Sequence, residues 1–157
     1  MDNSSAAVTG TLFALSATMM IVAIVFAVAW YILQVVAYWR IFQKAGKPGW
    51  HSIVPFLNNW DEVDLSWSST MAWVFIAAMV LNAVLATPAQ AQDASTFVKA
   101  LFYIASAVVT VVGIVSQYKL AKAFGKGIGF FLGLLFLNPI FKLILGFGDA
   151  RYEGPQG

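Results

Sequence analysis

The stretch LFALSATMMIVAIVFAVAWYILQVVAYW, Leu12–Trp39, contains no charged residue. A membrane-spanning helix needs about 20 predominantly apolar residues, so this run is long enough to cross a bilayer. Its second half carries the aromatic residues Trp30, Tyr31, Tyr38 and Trp39. Such amphipathic rings, followed at once by Arg40, favour a membrane interface. The leader before the run lacks Lys and Arg, which predicts a retained transmembrane helix rather than a cleaved signal peptide.

The composition extends this interpretation to the whole chain. Of its 157 residues, 61% are hydrophobic and only 10% are charged, against roughly 25% charged residues in an average soluble domain. We therefore predict a single integral membrane domain over residues 1–157. The net charge of +2 is too small to indicate nucleic acid as a partner. The chain has no cysteine, which excludes disulfides, thiolate nucleophiles and sulfur-ligated metals.

Four apolar runs predict an all-α membrane protein with four transmembrane helices. The predicted spans cover residues 11–39, 71–87, 100–118 and 129–146, and Ser68-Ser69-Thr70 is expected to cap the second. Between the first two spans, residues 50–67 include the acidic sequence WDEVDLSW. Its residues Trp60, Val63 and Trp67 share one helical face, which predicts a segment lying flat in the cytoplasmic interface.

The basic residues predict the orientation. Two loops, after the first and third spans, hold six of the nine basic residues: Arg40, Lys44, Lys47, Lys119, Lys122 and Lys126. Positive charge favours the cytoplasmic side, so we expect both loops inside a bacterial inner membrane and both termini outside it. The same six cations are candidate contacts for anionic lipid headgroups. The alternative is that they only set the topology.

Two similar phrases follow apolar runs, KAGKPGWHSIVPFLN at Lys44–Asn58 and KAFGKGIGFFLGLLFLN at Lys122–Asn138. Glycine can end a helix in the left-handed conformation, and proline cannot continue one. The predicted turn-forming residues are Gly46, Pro48, Gly49, Gly125 and Gly127. The similarity predicts a parallel two-fold internal repeat about an axis along the membrane normal. The alternative is that cationic glycine turns recur wherever a helix enters the cytoplasm.

Candidate chemistry is sparse. His51 adjoins Ser52 and precedes Asp61, Glu62 and Asp64, but side chains of adjacent residues do not face each other and no nucleophile elbow is present. A single histidine with carboxylates is a weak zinc pattern, since zinc sites commonly use two or more His or Cys ligands. The phrase KAFGKGIG lacks the order of a phosphate-binding loop. We therefore expect no catalytic residue, no metal site and no cofactor.

Polar residues inside the predicted spans are better functional pointers, because burying them in lipid is costly. They are Gln34, Asn82, Gln117, Asn138 and Lys142. Asn82 and Asn138 are expected to hydrogen-bond between helices, and Asn138-Pro139 is expected to break the fourth helix. For Lys142 we expect an ammonium that reaches outward to the interface or pairs with Asp149. The alternative is a role in a conduction or proton pathway.

Three phrases together, KAGKPGWHSIVPFLN, LAKAFGKGIGF and LGFGDARYEGP, resemble a family of small bacterial membrane proteins of unknown function. The resemblance covers about Trp39 to Pro155. A related module occurs at the N-terminus of some signal peptidase I proteins, which implies a partner near the secretion machinery and brings no catalytic residues. The segment NNWDEVDLSWSST departs from the family pattern, in which a hydrophobic segment and another Lys-Pro-Gly-Trp-like turn usually follow.

Three functions remain open at this point. The first is a non-enzymatic membrane module that acts through a protein partner or by self-assembly. The second is a small transporter or channel subunit, and the third is an interfacial membrane enzyme that would rely on His51 and the acidic cluster. In every case the lipid bilayer is a partner, with anionic headgroups expected on the cytoplasmic side.

Overall fold

A computed structural model describes the backbone of residues 3–156 and the side chains of residues 8–156. These residues form six α-helices and no strand, which confirms the all-α prediction. The helices are α1 (Asn3–Lys44), α2 (Pro55–Ser66), α3 (Ser69–Gln90), α4 (Thr96–Ala123), α5 (Ile128–Phe136) and α6 (Asn138–Phe147), with a short 3-10 helix at Gly49–Ile53 before α2. The chain divides into two units, Met1–Gln34 and Val35–Gly157.

The first unit is the N-terminal part of α1. From residue 8 to residue 34 none of its side chains is buried. Large apolar side chains lie on every side of the helix, including Phe13 at 76% exposure and Phe26 at 69%. A helix that is apolar all round has no face suited to water, so lipid or another apolar helix must cover it.

The second unit contains the core. Within it α3 packs against α4, and α2 packs against both. The largest buried cluster forms where the last turns of α1 and α4 meet α2, α5 and α6. Its members are Ile41, Phe42, Leu65, Leu120, Ala121, Ala123, Phe124, Leu134 and Leu145. Ser68 caps α3 by accepting a hydrogen bond from the Met71 amide at 3.3 Å, as predicted.

Among the described residues, three helices are long and apolar enough to span a membrane: Val8–Lys44, Ser69–Gln90 and Thr96–Ala123. The fourth predicted span, residues 129–146, is not one helix but the pair α5 and α6, of 9 and 10 residues. At 1.5 Å per residue each is about 15 Å long or less, against about 30 Å of hydrocarbon. The four-span prediction is therefore not confirmed.

The break between α5 and α6 lies at Leu137, directly before Asn138-Pro139, where the sequence predicts it. Proline has no amide hydrogen and is well placed in the first turn of α6. The Asn138 side chain donates a hydrogen bond to the Leu134 carbonyl at 3.0 Å. It thereby satisfies a carbonyl that an uninterrupted helix would pair with a backbone amide.

The α5–α6 pair begins and ends at the same end of the second unit. Its start follows the end of α4 through a tight turn at Gly125. At its other end, the Lys44 ammonium donates hydrogen bonds to the carbonyls of Leu145 at 2.7 Å and Gly148 at 2.6 Å. Because Lys44 is the last residue of α1, α6 returns to the level of the first Lys-Gly turn.

The C-terminal tail lies at this end too. The Glu153 amide donates to the carbonyl of Ala123, the last residue of α4, at 2.7 Å, and the Gln156 amide donates to the Ser66 carbonyl at 3.0 Å. The tail therefore shares an end of the unit with both Lys-Gly turns. This differs from the expectation that turns and tail lie on opposite sides, because α5 and α6 form a hairpin where the sequence suggested a crossing.

The two Lys-Gly turns have the same backbone conformation. Gly46 and Gly125 have positive φ angles of 73° and 64°. In each turn the next lysine amide bonds to a carbonyl five residues earlier: Lys47 to Phe42 and Lys126 to Ala121, both at 2.8 Å. This pattern, with the left-handed glycine, is the Schellman motif that ends helices, so the predicted role of both glycines is confirmed.

The segments after the two turns differ. Pro48 precedes the 3-10 helix Gly49–Ile53, which stops before Pro55, whereas Gly127 precedes the continuous helix α5. The Trp39 indole lies against Gly49, where a Cβ atom would meet it at 2.3 Å. A duplication that extends beyond the turns is therefore not confirmed.

Alanine at either turn glycine is expected to lower stability. An L-residue in the left-handed region costs roughly 1–2 kcal/mol, so Gly46→Ala and Gly125→Ala should each lower the free energy of unfolding by about that amount. The loss should be somewhat larger at Gly125, because its Cβ would lie 2.6 Å from Glu153 Oε1 in the tail, whereas open space surrounds that of Gly46. Denaturant unfolding in detergent measures both; the control Gly127→Ala, at a glycine without positive φ, should change little.

Candidate functional site

A buried ion pair joins α2 to α6. Lys142 is 0% exposed, and its ammonium pairs with Oε1 of Glu62, whose side chain is 13% exposed. The same ammonium lies 4.8 Å from the centroid of the Tyr38 ring on α1. Helix α6 is otherwise largely apolar, so the carboxylate of α2 provides the compensating charge that a buried cation requires.

Two amide side chains, from α4 and from the start of α6, extend this pair. Gln117 on α4 donates from Nε2 to Glu62 Oε1 at 2.5 Å. Asn138 donates from Nδ2 to Gln117 Oε1 at 3.2 Å. We call Tyr38, Glu62, Gln117, Asn138 and Lys142 the Glu62 cluster; it connects α1, α2, α4 and α6 through side chains alone.

The ionisation of Glu62 follows from these contacts. Burial by itself would raise the pKa of the Glu62 carboxyl, but the adjacent Lys142 charge and hydrogen bonds from Lys142, Gln117 and Tyr38 outweigh it and lower that pKa. A lowered carboxyl pKa stabilises the fold above the ordinary Glu pKa. That contribution is lost as the pH falls through the folded-state value.

The expected behaviour of Lys142 is thus wrong. It neither reaches outward nor pairs with Asp149, because Glu62 lies within reach on α2. The sequence did not identify Glu62 as the partner of Lys142, because Glu62 belongs to a short acidic run that fits a water-facing helix surface. The one local indication of this ion pair was Lys142 itself, because a lysine in an apolar run requires an acid somewhere in the fold.

A second charged cluster, the Asp61 cluster, fixes the first Lys-Gly turn to α2. Asp61 is 0% exposed; its Oδ1 lies 3.1 Å from Lys47 Nζ, and its Oδ2 contacts His51 Nδ1. Lys47 also donates to Asp64 Oδ2 at 2.5 Å. Burial by itself would lower the pKa of Lys47, but the hydrogen bonds to Asp64 and Asp61 raise it. The segment at residues 50–67 therefore buries one of its acidic residues, Asp61, although a run of acidic residues usually faces water.

The surroundings of His51 and Ser52 show which of the residues considered for catalysis or metal binding come together. His51 contacts the Asp61 carboxylate. Ser52 is buried, and within the described residues its hydroxyl has no hydrogen-bond partner, so Ser52 and His51 do not pair. No group of three or more His, Asp or Glu residues in the described part of the chain is placed to hold a metal ion.

The six loop cations have different environments. Lys44 caps α6, Lys47 joins the Asp61 cluster, and Lys119 donates to the Gln156 carbonyl of the tail. Arg40 and Lys122 are exposed, and Lys126 is half-buried. Hydrogen bonds or ion pairs within the protein thus engage three of the residues predicted to meet lipid headgroups, while Arg40 and Lys122 lie over the rings of Phe147 and Tyr118.

Asn82 makes the interhelical contact expected of it. Its Nδ2 donates to Ser106 Oγ at 2.5 Å, which links α3 to α4. Asn138 likewise bonds across helices to Gln117. Such bonds contribute about 0.6–2 kcal/mol each within a bilayer.

The comparisons with known proteins bear on the core-forming part of the chain. Residues 50–155 match a family of unknown function, DUF5684. No curated protein and no solved structure matches the chain. The matched region begins at Trp50 and includes α2 to α6. It contains four residues of the Glu62 cluster, namely Glu62, Gln117, Asn138 and Lys142. It also contains His51, Asp61 and Asp64 of the Asp61 cluster. Since it covers more than half of the 157 residues, the chain belongs to this family of unknown function.

Proposed function

We propose that this chain is a non-enzymatic multi-pass membrane protein that acts through other proteins, beginning with copies of itself. The observation that carries the proposal is the exposure of the apolar part of α1 over residues 8–34, where no side chain is buried. Gly10 and Ala14 stand four residues apart on this helix, and open space surrounds Gly10. Small residues at that spacing let two transmembrane helices approach closely.

The charged groups support the same proposal. Glu62 pairs with Lys142 and accepts from Gln117, and Asp61 is enclosed by Lys47 and His51. The protein's own side chains therefore engage both carboxylates. A partner near the secretion machinery remains the expectation from the family resemblance.

Cysteine scanning tests the proposal. Single cysteines at residues 12–26 are cross-linked in membranes with a short bifunctional maleimide, with Val80→Cys on the exposed face of α3 as the control. We expect cross-linked dimers to recur with helical periodicity on the face of Ala14 and to be weak at Val80. Absence of any protein cross-link along α1 would leave lipid as its cover and contradict the proposal.

A transporter or channel subunit is the second candidate. A cleft of about 330 Å³ lies between α3, α4 and α5, and Gln117 and Asn138 of the Glu62 cluster are among its lining residues. Buried ionisable residues beside a cleft in a membrane protein are typical of solute and proton pathways. Proteoliposomes loaded with a pH-sensitive dye would support this candidate if Lys142→Met abolished a flux that the wild-type protein carries.

For the topology we propose three crossings, with the N-terminus outside and the C-terminus in the cytoplasm. The positive-inside rule favours cytoplasmic Lys-Gly turns, and the tail's hydrogen bonds to Ala123 and Ser66 favour the same side for the C-terminus.

Thiol labelling checks this topology. In intact cells an impermeant maleimide should react with Gln92→Cys, in the loop between α3 and α4. Lys122→Cys and Pro155→Cys should react only after permeabilisation; all three positions are exposed. Labelling of Pro155→Cys in intact cells, with Lys122→Cys protected, would instead mean that the chain crosses a fourth time.

A further inference from the structure

An open groove of the second unit lies beside the end of α1. Its volume is about 620 Å³, and its lining residues are Val36, Trp39, Arg40, Gln43, Lys44 and Gly146. Five of them come from three consecutive turns of α1, and Gly146 comes from the last turn of α6. We call this the Arg40 groove.

The groove is positively charged. Arg40 is exposed and forms no ion pair with any carboxylate in the part of the chain that the structure describes. Its guanidinium lies 5.0 Å from the centroid of the Phe147 ring, a contact that positions the side chain without neutralising it. Arg40 and Lys44 are the charged residues that line the groove. Arg40, Lys126 and Asp149 lie close enough to act on the charge of Lys44.

The groove is also amphipathic. Val36 and Trp39 are 38% and 36% exposed and border it on the side of the long apolar run of α1. Gln43 and Lys44 border it on the side of the Lys-Gly turn. A guanidinium binds phosphate oxygens through paired N–H donors, and an aromatic side chain beside it suits the headgroup level of a bilayer.

We propose that the Arg40 groove binds the phosphate of an anionic phospholipid, with the acyl chains toward Val36. A free anion would use the cations alone, whereas a phospholipid also covers the apolar wall. The proposal needs only a membrane around the chain, so it is independent of self-assembly through α1.

The test measures binding of phosphatidylglycerol to the detergent-solubilised full chain by native mass spectrometry. Three variants each lower the net charge by one: Arg40→Gln and Gln43→Glu in the groove, and the control Lys122→Gln on an exposed residue of the other turn. A cation near a headgroup contributes enough for about a fivefold change in affinity. We expect about fivefold weaker binding for each groove variant. Lys122→Gln should weaken binding by less than about twofold, because Lys122 does not line the groove and solvent screens an exposed charge at a distance.

Other outcomes overturn the proposal. Equal losses in all three variants would mean diffuse attraction to the basic end of the protein. Displacement of the lipid by millimolar inorganic phosphate would mean a free-anion site, and equal affinity for phosphatidylcholine would mean that the charge is not recognised. Gln43→Glu keeps the contact between Arg40 and Phe147. It therefore tests the groove even if the Arg40→Gln variant fails to fold.

Discussion

Glu62→Gln is expected to lower the free energy of unfolding by about 3–5 kcal/mol, because it leaves the fully buried Lys142 ammonium without its anion. Lys142→Met should cost less, since the Glu62 side chain is 13% exposed and keeps its hydrogen bond from Gln117. The double variant should recover most of the loss, because it buries no unpaired charge.

Denaturant unfolding of the four proteins in one detergent gives the coupling energy between the two residues. Lys122→Gln is the matched control, since it removes one exposed cation and should change stability by less than about 1 kcal/mol. If the two single losses simply added in the double variant, Glu62 and Lys142 would not form a pair in the folded protein.

Gly146→Ala is expected to have the second largest effect. Its Cβ would lie 2.6 Å from the Ala37 carbonyl oxygen and 2.9 Å from Ala37 Cα. Both are backbone atoms of α1 and cannot rotate away, so α1 and α6 would have to separate. Overpacking of this kind typically costs about 1–3 kcal/mol, and here it would also strain the hydrogen bonds from Lys44 to Leu145 and Gly148.

Gly129→Ala is the matched control. Gly129 is also helical, and apart from its chain neighbours and the backbone of its own helix no atom lies within 4 Å of the position that a Cβ atom would take there. Alanine at this position should therefore leave stability unchanged or raise it by up to about 1 kcal/mol. Thermal unfolding in detergent compares the two variants. Equal midpoints for Gly146→Ala and the wild-type protein would mean that the contact between α1 and α6 is not closely packed.

Local chemistry made several features predictable from the sequence. The charge-free run Leu12–Trp39 predicts a long helix, because lipid leaves the backbone no other partner than itself. Gly46 and Gly125 predict helix ends with positive φ, since only glycine enters that region without a steric cost. Asn138-Pro139 predicts the break that separates α5 from α6. Each of these depends on a residue and its immediate neighbours.

The sequence could not decide what happens after the break. The apolar run at residues 129–146 is long enough for one crossing, and only packing shows that α6 turns back to Lys44. The direction of a chain after a proline depends on which surface can bury the next helix. In this fold the break at Leu137 lets α6 return beside α1, where Gly146 permits close approach.

Composition and helical pattern therefore determined the class of protein, its long helices and its turns, because these follow from local backbone and side-chain preferences. Tertiary structure alone decided that Glu62 would meet Lys142, far along the chain, and that Asp61 would be buried rather than exposed. A charged residue in an apolar environment requires an opposite charge, but it does not specify which one. The packing of α2 against α3 and α4, which places the Glu62 side chain beside Lys142 of α6, makes that choice.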